Sequence, residues 1–192
     1  MIMTYAQCLQ VYGTDYQIKK KIKEGKLFQK EKGLYSDTRF CSDLEVISVK
    51  YPNAVFSGSS AYYYYGLTDV ISEKYMLTTK REDSRIKSKT IKQNFAKDNI
   101  YEFGITNMEY QNTIIRIYSK ERLLVDLIRF RSRYPLDYYK EIISGYRNIL
   151  DELYEEKSES FENSILKEMQ KENKCEKSLL LEEELTNKIK TK

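Results

Sequence analysis

Two glycines, Gly13 and Gly25, cut the first 36 residues of the chain into segments that can form only short elements. Ahead of Gly13, Tyr5, Cys8, Leu9 and Tyr12 recur at i, i+3, i+4 and i+7, the apolar stripe of a short helix. Gly13 ends it, because glycine takes the left-handed conformation cheaply. Thr14 follows, with Gln17 three residues on, the capping-box signature of a second helix. Ile18 and Ile22 point one way in that helix, and Gly25 closes it. Successive residues are about 100° apart, which puts Tyr16, Lys20 and Lys23 opposite the isoleucines, with Gln17 and Lys19 on the flanks. Two strand-like pieces come next, Lys26–Lys30 and Gly33–Ser36, joined by a charged turn around Glu31 and Lys32. Two helices across a tight turn and then a lysine-tipped hairpin predict a minimal winged helix-turn-helix domain over residues 1–40.

The rest of the chain, 41–192, reads as a second domain of mixed α/β type with a helical C-terminal end, so the fold class expected is α/β in the α+β sense. Leu44 and Ile47, with Val46 a further candidate, mark a short helix in Ser42–Lys50. Tyr51-Pro52 breaks it, since the residue before a proline disfavours helix, and the domain boundary is expected between 37 and 52. Ser57 fits the N-cap of a helix through Ala61 to Tyr65. Strands are predicted at Lys74–Thr79, Ile100–Ile105 and Thr113–Tyr118. Between them, 80–98 reads as a long basic loop with a strand near Ile91. A helix begins after Ser119 with Leu123, Leu124, Leu127 and Ile128 on its core side. Helical patterns continue through Leu136–Leu153, at Ile165–Met169 and at Leu181, Leu185 and Ile189, and Lys188–Lys192 are expected to fray.

Composition narrows the function classes. Hydrophobic residues make up 41% of the chain, enough for a core. No apolar run approaches the roughly 18 residues of a membrane span, and no basic-then-apolar leader is seen, so a cytoplasmic location is expected. There is no histidine. That removes His-dependent serine or cysteine catalysis and Cys/His zinc sites. Cys8, Cys41 and Cys175 are odd in number and far apart, which suits reduced thiols, with Cys8 a small core residue. An enzyme would need more than Gly58-Ser59 followed by Asp69-Val70-Ile71. A nucleotidyltransferase requires two carboxylates one residue apart for magnesium, and the second position here is Ile71. The expectation is a binding protein without catalytic residues, metal or cofactor.

Charge is uneven along the chain. Residues 1–50 carry nine basic and six acidic side chains, residues 74–97 eight and two, and residues 151–192 eight and twelve. Basic sections and an acidic tail suggest one side that binds a polyanion and another that repels it. On a winged helix, outward lysines neutralise phosphates while residues near the helix N-terminus reach base edges. Lys19, Lys20, Lys23, Lys30 and Lys32 are therefore expected on phosphates, and Tyr16 and Gln17 on bases. A solvated amphipathic helix beside an ordinary hairpin is the plainer alternative. A second functional alternative is an RNA-binding regulator using the basic 80–97 segment and exposed tyrosines such as those in Tyr62–Tyr65.

In the helix after Ser119, Arg122, Arg129 and Arg133 lie opposite the leucines. Asp126 can pair with Arg122 and Arg129 on a solvated face. Alternatively Arg133, with the basic 80–92 segment, contacts a nucleic acid or nucleotide.

The residues Lys26-Leu27-Phe28 after Gly25, Lys32-Gly33-Leu34-Tyr35, Ser60-Ala61 with Gly66-Leu67-Thr68-Asp69, and Glu121-Arg122 with Asp126-Leu127 resemble the AbiEi family of antitoxins. The resemblance runs from about residue 4 to 133. Leu123 departs from it, where a threonine is expected, and the chain after 150 is shorter and more acidic than the family pattern. The resemblance implies a type IV toxin–antitoxin protein of phage defence (abortive infection). Its winged helix would bind inverted repeats in duplex DNA at its own promoter and act as a repressor. Its C-terminal domain would counteract a nucleotidyltransferase-type toxin without a stable complex, and Arg122, Arg129 and Arg133 are the residues assigned to that antitoxin surface.

Overall fold

The computed structural model describes residues 1–155. The predicted helical patterns beyond 155, Cys175, the fraying end and all but the first residues of the acidic tail lie outside them. Along the chain the elements are β1 (Ile2–Thr4), α1 (Tyr5–Tyr12), α2 (Asp15–Lys23), β2 (Phe28–Glu31), β3 (Leu34–Ser36), α3 (Asp43–Lys50), β4 (Val55–Phe56) and α4 (Gly58–Tyr64). They continue with β5 (Tyr75–Lys80), β6 (Ile91–Ala96), α5 (Asp98–Tyr101), β7 (Ile105–Tyr110), β8 (Thr113–Tyr118), α6 (Lys120–Arg129), a 3-10 turn (Arg131–Arg133) and α7 (Leu136–Glu155). The described residues thus form a mixed α/β fold with seven α-helices and two sheets. None of those helices is long and apolar enough to cross a membrane.

The chain divides into two compact units. The first comprises Met1–Ser57 and Lys74–Tyr118, and the second Gly58–Glu73 and the chain from Ser119 onward. Both sheets belong to the first unit. One is antiparallel, in the order β1-β3-β2, with Ile2 opposite Ser36 and Phe28 opposite the same residue. Against it pack α1 and α2, which enclose a core of Met3, Cys8, Ile18, Leu27 and Tyr35, flanked by Leu9, Tyr12 and Ile22. The other sheet has the order β6-β5-β4-β8-β7. Its outer pairs differ: β5 and β6 run parallel, whereas β7 and β8 form an antiparallel hairpin. The expected boundary region, 37 to 52, contains α3, which packs against both β1 and β8 and buries Leu44 and Ile47 as its pattern predicts.

The strand predicted over Ile100–Ile105 is not formed. Asp98–Tyr101 is a helical turn and the strand begins at Ile105. The physical reason is Tyr101, which is 1% exposed and donates its hydroxyl to the Asn53 carbonyl. Gly104, at φ 72°, then turns the chain into β7. Near Ile91 the basic segment does contain a strand, six residues long.

Every regular element among the described residues of the second unit is a helix, and 65–73, which follows α4, is an irregular segment. Tyr62 of α4 is fully buried, donates its hydroxyl to the Leu123 carbonyl of α6 at 3.1 Å, and meets the Tyr134 ring edge-on. Tyr146 of α7 donates to the Lys120 carbonyl at 2.7 Å. Thr68 and Asp69, beyond α4, both donate to Glu141 Oε1 of α7. Burial pushes the Tyr65 hydroxyl up to about 12 and raises those of Tyr62, Tyr134, Tyr138 and Tyr146 as well. These tyrosines are packing residues: Tyr63, Tyr64 and Tyr65 are half-buried, and none of Tyr62–Tyr65 is fully exposed.

Candidate nucleic-acid interface

Local chemistry defines α2 at both ends. Gly13, at φ 82°, caps α1 by donating its N–H to the Leu9 carbonyl at 2.8 Å. Thr14 is extended, and its hydroxyl accepts the Gln17 N–H at 3.3 Å. A complete reciprocal capping box occurs one helix earlier, between Thr4 and Gln7. Asp15 in the first turn and Lys20, Lys21 and Lys23 in the last turn complement the helix dipole. Ile18, 1% exposed, anchors the inner face in the core.

The outer face is open. Tyr16 is 73% exposed, and Gln17, Lys19, Lys20 and Lys23 are exposed with it. Their charges are not equally available. Lys19 pairs with Asp15 at 2.6 Å, and this contact raises the ammonium and lowers the carboxyl from their ordinary values. Tyr5 of α1 adds its hydroxyl to the same carboxylate at 3.4 Å. Glu24 takes up Lys21 and Lys26. Among the described residues, Lys20 and Lys23 form no ion pair, so they are the outward cations with charge to spare.

The two lysines predicted on the β2–β3 hairpin sit in different surroundings. Lys32 at its tip is exposed, but Lys30 donates its ammonium to the Arg39 carbonyl and lies over the Phe28 ring. Two features here have no counterpart in the sequence pattern. The Lys30 contact braces a loop in which Thr38 bonds to both Ser36 and the Phe40 carbonyl, leaving Phe40 86% exposed. Lys50, at the end of α3, pairs with Glu31 at the end of β2. A side chain that pairs across 19 positions leaves no periodic trace.

The arginines of the second unit separate. Arg122 is not on a solvated face: it is 8% exposed overall, and its Nε donates to Asp126 Oδ2 at 3.0 Å. Helix periodicity identifies the apolar stripe of α6 but not what packs on its other sides, and Glu121, Arg122 and Val125 are buried there too. Leu124 and Ile128, expected in the core, are only half-buried. Burial raises the Asp126 carboxyl above its ordinary value, although Arg122 and Arg129 both act to lower it. Arg129 and Arg133 are exposed, and both lie over the Phe130 ring, at 5.2 and 4.2 Å from its centroid. Arg131 lies over Tyr139 at 5.2 Å. Phe130 therefore gathers two guanidiniums into one exposed patch, and cation–π contact limits where each can point.

Asp69 is an exposed turn residue whose N–H is held by Glu141, and Ser59 bonds to Ser72. Among the described residues, no group of three or more His, Cys, Asp or Glu side chains could hold a metal ion. No family model matches the chain, and no curated protein matches it.

Proposed function

We propose that residues 1–40, within the first unit, form a winged helix-turn-helix that binds duplex DNA, with α2 as the recognition helix and the β2–β3 hairpin as the wing. The carrying observation is the two-sidedness of α2: Ile18 is 1% exposed in the core, while Tyr16 is 73% exposed beside Gln17, Lys20 and Lys23. A helix so anchored offers a groove-sized surface with base-reading groups at its N-terminal end and cations at its C-terminal end. Together with the AbiEi resemblance, this supports an antitoxin that represses its own operon through inverted repeats and antagonises a nucleotidyltransferase toxin in phage defence. The proposed activity is binding, not catalysis. Arg129 and Arg133 on Phe130 are the proposed antitoxin surface. Arg122 supports them from the interior, through Asp126.

Deletion of the first 36 residues would remove β1 and β3 along with α2, so point variants make the better test. Lys20→Ala with Lys23→Ala should weaken binding to every duplex and reduce the salt dependence by about 0.9 log units of slope for each phosphate left without its lysine. Gln17→Ala should narrow the gap between promoter and random DNA. Arg129→Ala with Arg133→Ala should keep promoter binding and lose protection from the toxin. An unchanged salt slope in the lysine variant would rule out α2 as the DNA-facing helix, and joint loss of both activities in the arginine variant would rule out separate surfaces.

A further inference from the structure

Because β5 and β6 are parallel neighbours, the segment between them, 81–90, must travel back along the sheet before β6 starts opposite Tyr75. Gln93 of β6 holds it in place. Its carboxamide oxygen accepts the Ile86 N–H at 2.7 Å, and its nitrogen donates to the Ser84 carbonyl at 3.2 Å and to Thr79 Oγ1 at 2.8 Å. Asp83 secures the entry by accepting the Lys80 N–H at 2.9 Å. Facing this loop is the turn Tyr51–Ala54, closed by the Ala54 N–H on the Tyr51 carbonyl and fastened by the Tyr101 hydroxyl on Asn53.

Between the two lies a groove of about 480 Å³, with three basic side chains and one acidic among its lining residues. Arg85 and Lys87 stand exposed on one rim, and among the described residues they form no ion pair. The other rim holds Lys50, which lies over the Tyr51 ring and pairs with Glu31 of the β2–β3 hairpin. The groove therefore begins where the hairpin ends. Its rim residues Pro52, Asn53, Ser84, Arg85 and Lys87 are exposed, so it is an open trough and not an enclosed pocket for a small molecule.

We propose that this trough carries the phosphodiester backbone of the same duplex that α2 engages, so that the DNA footprint extends beyond the hairpin across Arg85 and Lys87. The proposal rests on the DNA-binding reading above. Charge complementarity and continuity with the hairpin support this occupant. Phosphates are met by exposed cations without burial, and the Gln93 contacts hold the backbone that carries Arg85 and Lys87.

The test uses the full chain and two random-sequence duplexes, one of about 12 base pairs, roughly one helical turn, and one of about 30 base pairs, roughly three turns. Binding is followed by fluorescence anisotropy over a salt series, with single-stranded RNA of the longer length as a third probe. Arg85→Ala with Lys87→Ala should lower the salt slope on the long duplex by about 1.8 log units, the equivalent of two neutralised phosphates, and leave the short duplex unchanged. Gln93→Leu, which keeps both cations but releases the loop, should weaken the long duplex alone. Unchanged binding to the long duplex, equal loss on both duplexes, or loss confined to RNA would each overturn the proposal. If the wild-type chain binds neither duplex, or if Lys20→Ala with Lys23→Ala also changes nothing, the DNA-binding reading itself falls. Normal effects of Lys20 and Lys23 with none from Arg85 and Lys87 would overturn only the extended footprint.

Discussion

Gly145 lies inside α7, where a glycine ordinarily costs about 1 kcal/mol relative to alanine. Replacement by alanine should therefore stabilise the chain, yet the packing predicts the reverse. A Cβ at this position would stand 2.8 Å from the Leu67 carbonyl oxygen, 3.0 Å from its Cα and 3.3 Å from its carbonyl carbon. All three atoms are backbone. That backbone has little room to shift, because Leu67 is 2% exposed and donates its N–H to the Tyr62 carbonyl at 2.9 Å. The next two residues bond to Glu141 Oε1 at 2.7 and 3.0 Å, and Glu141 sits one turn before Gly145 on the same helix. The helix thus clamps the segment that the new methyl group would push away. Overpacking of this kind costs about 1–3 kcal/mol, so the net loss remaining after the gain in helix propensity reaches about 2 kcal/mol. For a chain of this size each kcal/mol lowers Tm by about 2–4 °C. Thermal melts followed by far-UV circular dichroism provide the measurement. Ser144→Ala is the control: its side chain is exposed, and it should gain a few tenths of a kcal/mol. If Gly145→Ala melts at or above the wild type, the close approach to Leu67 does not govern this position.

Asp126→Ala removes the carboxylate from a buried pair and should cost about 3–5 kcal/mol in urea unfolding, whereas an exposed pair would cost under about 1 kcal/mol. Because the folded Asp126 carboxyl lies above 3.8, its protonated form favours the fold. Its contribution is complete below the ordinary value and is lost as pH rises through the folded one, so Asp126→Asn should flatten the stability profile across that acidic window. The buried tyrosines follow the same sign at the other end of the scale. Their contribution is complete below pH 10 and lost above it, and absorbance at 295 nm should show a late phase of ionisation, near 12 for Tyr65, coinciding with loss of helix. Thr14→Ala should cost about 1 kcal/mol through loss of the α2 cap, and no change in unfolding would show that Gly13 alone sets the helix start.

The two helices of the first 36 residues are legible because their signals are local, whereas β1, which forms by pairing with β3, is not foreseen by any of them. Gly13, Thr14 and Gly25 set the ends of the helices, and the spacing of Cys8 and Ile18 identifies the buried faces, which coincide with the core observed. The larger sheet is legible only in pieces. Its central strand β4 has two residues, too few for any alternation to register. The turn between β7 and β8 is Gln111-Asn112, both at positive φ, 49° and 60°, a geometry usually announced by Asn-Gly or Asp-Gly. Alternation at 100–105 suggests a strand as long as Tyr101 counts as one more apolar residue, and not as the plug whose hydroxyl reaches Asn53. In the candidate site, the lysine face of α2 is visible in the sequence, as is the i,i+4 spacing that lets Asp15 take up Lys19. Lys30 turning back to Arg39, and the burial of Arg122, depend on packing that no period in the chain encodes.

The discontinuity of the helical unit has a consequence for how the chain acquires its structure. Tyr62 and the carbonyl that receives its hydroxyl are 61 residues apart, and Thr68 and Glu141 are 73 apart. At ribosomal speeds of about 5–20 residues per second, the tyrosine-rich segment emerges several seconds before α6 and α7 exist to cover it. Nearby, β4 and β5 can already zip together as an antiparallel pair, with Val55 opposite Thr78, leaving the segment between them as a waiting loop. Non-local closure of this kind is slow. Nascent chains halted shortly before α6 should therefore hold their N-terminal helices while Tyr62–Tyr65 remain open to protease, and they should lose that sensitivity only once α7 has cleared the exit tunnel.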